Sequence, residues 1–171
     1  MRNRFEEQFK LGYRPIVELQ LEGRCQNKLE ELLIALKTIY CDPDYNPKLF
    51  SILSSHLLTG KQSTGRPGMN LWCIFVLAQV RMCLNVSYDV IHDYANNHTR
   101  LRWLMGIAPA DSSFEEIHFS YQRIYDNVNL LTDEALKELN DIIIEFGHGK
   151  VFKKKRGGSI ALKDRQLRGR K

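Results

Sequence analysis

Residues 65–106 read GRPGMNLWCIFVLAQVRMCLNVSYDVIHDYANNHTRLRWLMG. The stretch opens on a turn, Gly65-Arg66-Pro67-Gly68, and runs into residues 69–84, where only Asn70, Gln79 and Arg81 are polar. A helix that is apolar all round must be covered on every side or lie in lipid. A bilayer span takes about 20 apolar residues, and this segment is too short and too interrupted for that. It predicts the central helix of a globular core. After a break at Asn85-Val86 come two short amphipathic segments, with start signals at Ser87 and Thr99.

Working outward, the neighbouring segments carry helical periods. Asn27 with Glu30 forms a capping box before residues 28–40, whose stripe is Leu29, Leu32, Leu33, Leu36, Ile39 and Tyr40. Pro43 breaks the chain. Asn46-Pro47 starts the next helix, lined by Leu49, Phe50, Ile52, Leu53 and Leu57 and ended by Gly60. Beyond Gly106 and Pro109, a second box, Ser113 with Glu116, precedes Ile117, Tyr121, Ile124, Tyr125 and Val128. Thr132 caps a last helix with Leu136, Leu139, Ile142, Ile143 and Phe146 inside and Gly147 as its end. Val17, Leu19 and Leu21 alternate with polar residues at a strand's period. With no partner strand in view they predict an extended arm. The fold class is all-α, a compact multi-helix domain with a helix-turn-helix-like segment. It divides into an arm over 1–26, a helical domain over 27–148 and a basic tail over 149–171, expected to be disordered.

The formal net charge of +5 is unevenly spread. Residues 150–171 hold ten Lys or Arg and one acid, Asp164, a net of +9, which leaves residues 1–149 with 15 basic and 19 acidic residues, a net of −4. A basic tail on a near-neutral body points to a polyanion partner or a solvated end. No apolar face accompanies the charge, which argues against a membrane surface. Cys25, Cys41, Cys73 and Cys83 form no C-x-x-C pair, so neither a disulfide framework nor zinc spacing is present. Cys73 and Cys83 in the apolar helix read as small hydrophobes. The start, MRNRFEEQFK, has no apolar signal region. These features fit the reducing cytoplasm.

Several constellations bear on function. Two short capped helices joined by a tight turn over residues 87–105 match a helix-turn-helix, whose second helix enters the major groove. Arg100 and Arg102 stand at its start, predicted to face outward. Short helices joined by turns are also common in any α domain. The loop over 61–68 carries Lys61 and Arg66 and is rich in backbone amides, suited to a phosphate. It lacks the order of a nucleotide-binding loop, and a plain connector is the simpler reading. Lys153, Lys154, Lys155 and Arg156 give sequence-blind attraction to phosphates or simply a solvated end. His92, Asp93 and His98 come closest to a metal set, but His92 and Asp93 are adjacent on a helix and point apart. Arg81, in an otherwise apolar helix, is a candidate partner for a buried acid such as Asp89.

Gly65-Arg66-Pro67-Gly68-Met69, Leu71-Trp72, residues 81–85, Tyr88-Asp89, His92, residues 95–98, Leu101-Arg102 and Met105-Gly106 together resemble the N-terminal domain of insertion-sequence transposases. Residues 1–6, residues 126–132 and Gly147-His148 extend the resemblance to about residue 148, and it resumes weakly at residues 167–170. The resemblance implies a helical domain that binds the terminal inverted repeats of the element. It also implies a following RNase-H-like domain whose three carboxylates hold divalent metals. None of those catalytic motifs matches a position in this chain.

The expectation is therefore a truncated transposase that is not an enzyme by itself. It needs no cofactor, the divalent metal belonging to the catalytic half. Its partners are double-stranded DNA at the element ends and, for a regulatory fragment, a second copy or the full-length transposase it would inhibit. A remnant without activity is the remaining alternative. Lys61, Arg66, Arg100 and Arg102 are the expected duplex contacts, with residues 153–156 adding backbone attraction.

Overall fold

The computed structural model describes residues 2, 4–5, 14–21, 27–58, 68–107 and 117–152. Among them run seven α-helices: α1 (Lys28–Tyr40), α2 (Tyr45–Leu57), α3 (Leu71–Leu84), α4 (Tyr88–Asn97), α5 (Thr99–Leu104), α6 (Tyr121–Val128) and α7 (Asp133–Phe146). No strand occurs among the described residues, and no helix there is long and apolar enough to cross a membrane.

α3 is the axis of the core. Every residue from Leu71 to Val80 is buried, including Gln79. α1, α2, α4 and α6 pack around it, and α7 closes over α2. The all-round apolar pattern read from the sequence thus has its cause in cover on every side. The helix begins where the Asn70 side chain accepts the Cys73 amide at 2.7 Å. It ends where Asn85 takes the left-handed conformation (φ 50°) and the amides of Asn85 and Val86 return to the Arg81 carbonyl. The last turn leaves the core, so Arg81, Met82 and Cys83 are exposed; Cys83 is not the buried hydrophobe its position predicted.

Trp72 fixes α3 against α5. Its indole Nε1 donates to the Leu104 carbonyl at 2.7 Å, and the Cys73 thiol donates to the Met105 carbonyl at 3.5 Å. Both carbonyls lie at the end of α5, where helical partners run out. Gly106 then turns with φ 69°, and the Phe5 ring occupies the space a side chain would need there. Phe5 also meets Tyr40 edge-on. Arg4 lies over the Phe50 ring, and Arg2 donates to Asn127 Oδ1 from Nε (3.3 Å) and Nη2 (3.1 Å). These three residues of the arm therefore touch the helical body at separate points.

The caps predicted at Asn27, Ser87 and Thr132 form, each side chain accepting a first-turn amide. Other expected boundaries move. Glu30 does not close a capping box; it is buried and faces α5. α2 starts at Tyr45, because Asp42 Oδ1 takes the amides of Asp44 and Tyr45, while Asn46 lies within the first turn and donates to the Tyr40 carbonyl. Residues 117–120 are not helical: Ser120 caps α6, and the Ser113–Glu116 box lies outside the described residues, as do Gly60 and residues 65–67. Gly147 does not end the last helix, which continues as a π-helical turn over Gly147–Phe152. In the arm, Ile16–Glu18 form a 3-10 turn that buries Ile16 and Leu19 and exposes Val17, so the alternation was not that of a strand. The basic tail lies outside the described residues past Phe152.

Candidate nucleic-acid interface

α4 and α5 are joined through one residue, His98, which caps α5 in place of Thr99: its Nδ1 accepts the Leu101 amide at 3.2 Å. α5 is only six residues long and turns Leu101, Arg102 and Leu104 inward. Arg102, predicted to face DNA, is 1% exposed. Its Nη1 donates to the Ala95 carbonyl and its Nη2 to the Ile117 carbonyl, both at 3.1 Å. Ala95 is among the last four carbonyls of α4, which lack helical donors and carry the negative end of the dipole. A guanidinium with five donors satisfies such a site and the incoming strand of chain together. Asn96 does the same beside it, bonding the amide and carbonyl of Phe119 at 2.8 and 3.0 Å.

Arg100 is half-buried, its Nη1 3.0 Å from Glu30 Oε2 on α1. His98 Nε2 stands 3.9 Å from the other oxygen of that carboxylate. Burial lowers the His98 pKa, Glu30 opposes the shift and Arg100 adds to it. The outward basic face expected on α5 is thus corrected: Arg102 is internal, and Arg100 is held by a buried acid. Lys61, Arg66, Lys153, Lys154, Lys155 and Arg156 lie outside the described residues.

Cationic groups gather instead at the start of α6, around an open groove of about 590 Å3 lined by Arg2, Gly68, His118, Ser120, Arg123 and Asp126 among others. Ser120 Oγ accepts the Arg123 amide at 3.3 Å, so the groove lies at the positive end of a helix dipole. Arg2 is aimed by Asn127, whose Nδ2 in turn donates to the Arg123 carbonyl at 2.7 Å. The Arg123 guanidinium sits 5.4 Å from the Phe119 ring centre. Asp126 is the acid in the lining, and it accepts from Gln122 at 2.6 Å. Gly68, on the lip, directly follows the Lys61–Pro67 stretch in the chain. Sequence reading passed over Arg2 and Arg123, because their meeting depends on Asn127, 125 residues from Arg2.

The other side of α6 meets α4 in a cluster of rings. Tyr88 lies 4.9 Å from Tyr125 and 6.4 Å from Tyr121, and His92 lies 5.9 Å from His118. Arg81 does not pair with Asp89 as proposed from sequence; its guanidinium lies 4.6 Å over the Tyr88 ring. Burial raises the Tyr88 pKa, Arg81 working against it and Tyr125 and Tyr121 adding to it. Tyr88 OH donates to Asn129 Oδ1 at 2.6 Å.

Among the described residues, no three His, Cys, Asp or Glu side chains gather as metal ligands do. Cys73 is sealed in the core, and burial pushes its thiol up to about 12, which removes it as a nucleophile at neutral pH. What the arrangement offers is anion binding, through two arginines and a helix start, beside an aromatic face. Comparison of the chain with protein-family models, with curated proteins and with solved structures gave no match.

Proposed function

We propose that this chain contains a DNA-binding domain of the insertion-sequence transposase kind. It engages duplex DNA at the element ends through the groove at the start of α6. The reading is supported by the ordered resemblance over residues 1–148 and carried by one observation: Arg2 and Arg123 flank the Ser120-capped end of α6, beside Gly68. Lys61 and Arg66 precede that lip in sequence, and the 153–156 run adds non-specific attraction. Arg102 has no part in the contact, and Arg100 has a secondary one at most. On this reading the protein works in the cytoplasm.

Gel-shift titration tests it. The chain should prefer duplexes bearing the element's own ends over scrambled duplex. The double substitution Arg2→Gln, Arg123→Gln should weaken end binding by roughly tenfold or more and flatten the salt dependence by about two phosphates' worth. Equal binding to every duplex, abolished by neutralising residues 153–156 and untouched by the groove substitutions, would refute the reading.

A further inference from the structure

The ring cluster on α4 and α6 has no role in the groove contacts. Tyr121 and Tyr125 are 41% and 42% exposed. One helical turn apart on α6, their rings are near-parallel, 13° between planes and 6.4 Å between centroids. They therefore present π faces in one orientation. Tyr88 tilts against Tyr125, and His92 extends the surface past Tyr121 at 6.3 Å. Every ring here carries a polar edge, and Arg81 lies on Tyr88. Such a face is polar-edged and carries the Arg81 guanidinium. It suits planar, polar rings on a polyanion better than the aliphatic stripe of another helix. It meets the phosphate-type groove at His118, which lines that groove and lies 5.9 Å from the His92 ring.

We propose that Tyr121 and Tyr125, backed by Tyr88 and flanked by His92 and His118, form a stacking platform for unpaired bases of a DNA strand whose phosphates follow the Arg2–Arg123 groove. The platform takes its ligand class from the DNA-binding reading and goes beyond it in substrate: bases inside a duplex cannot reach these rings, so the ligand is a frayed or single-stranded segment. Stacking accepts any base, and the arginines supply the attraction to the backbone.

The test is fluorescence anisotropy of the full chain with labelled oligo-dT of about 15 nucleotides, within the usual span of such sites, and with a blunt element-end duplex. Tyr121→Leu with Tyr125→Leu removes the π faces but keeps apolar bulk; Tyr121→Phe with Tyr125→Phe keeps both. Circular dichroism melting checks that each variant folds. The leucine pair should lose roughly tenfold or more in oligo-dT affinity, as loss of base stacking does. The phenylalanine pair should bind like the wild type, and the blunt duplex should be held equally by all three. The proposal is overturned if the wild type does not bind oligo-dT or if the leucine pair binds it unchanged. Sedimentation showing a dimer that the leucine pair dissociates would overturn it too, since a second copy would then own the face. Failure of the duplex reading looks different: blunt ends go unbound while oligo-dT binding still depends on the tyrosines.

Discussion

Arg102 shows how one residue's neighbours decide its role. Two carbonyls, Ala95 and Ile117, come within 3.1 Å of its guanidinium, and the bond to Ala95 is buried. Replacing it with Met keeps the volume but removes the donor to both, the buried Ala95 carbonyl above all. Hydrogen bonds to charged groups contribute about 1.5–3 kcal/mol net, and a buried unmet acceptor costs about as much as that. Arg102→Met should therefore lose about 3 kcal/mol in urea denaturation, while Arg123→Gln, at the groove, should leave stability nearly unchanged. Similar losses for both would mean that Arg102 is not the tie described. His98 adds a pH dependence. Its Nδ1 must stay unprotonated to accept the Leu101 amide, and burial lowers its pKa below the ordinary value of about 6.5. Below that pH the unfolded chain takes up a proton that the folded one resists, so this stabilisation is whole above pH ~6.5 and declines as pH falls toward the lowered folded value. His98→Asn, a cap that does not titrate, should show a shallower loss of stability in acid. Identical slopes for the two proteins would rule out the cap as its source.

At the scale of elements, α3 carries the fold because ten successive residues are buried while its last turn stands in solvent. The two ends should respond differently to truncation. Trp72→Ala removes a fully buried ring and the donor to Leu104, and such changes cost about 3–5 kcal/mol. Met82→Ala, at a residue 39% exposed, should stay within about 0.5 kcal/mol. Thermal melts of both variants check this; comparable losses would show that cover of the helix is not what stabilises it. The helices with long stripes or strong caps, α1, α3, α4 and α7, were legible, because periodicity and cap chemistry act within a few residues. α5 was legible as a helix but not in orientation, since six residues span less than two turns and define no face. The start of α6 was misread because Ile117 continues an i, i+4 pattern. In the fold the backbone of 117–120 is instead bonded by Asn96 and Arg102.

For the whole molecule, the basic excess resides in residues 150–171 while the remainder is net acidic. On the proposed DNA-binding reading, long-range attraction to a polyanion and local recognition would be separate properties of separate segments. The salt dependence of duplex binding should reflect both: neutralising residues 153–156 lowers affinity for all duplexes alike, whereas the groove pair affects the element ends more. By itself the amino-acid sequence determined an all-helical body built round the apolar stretch at residues 69–84, three of its caps and the concentration of charge at one end. Each of these follows from residues near one another in the chain. Which cations face outward was decided only by the tertiary structure. An arginine goes inside where packing brings it to carbonyls without donors, as at Ala95 and Ile117, or to a buried acid, as at Glu30. It stays at the surface where its partners, such as Asn127, leave its charge toward solvent. Those partners lie up to 125 residues away in the chain, a distance over which neither periodicity nor spacing carries information.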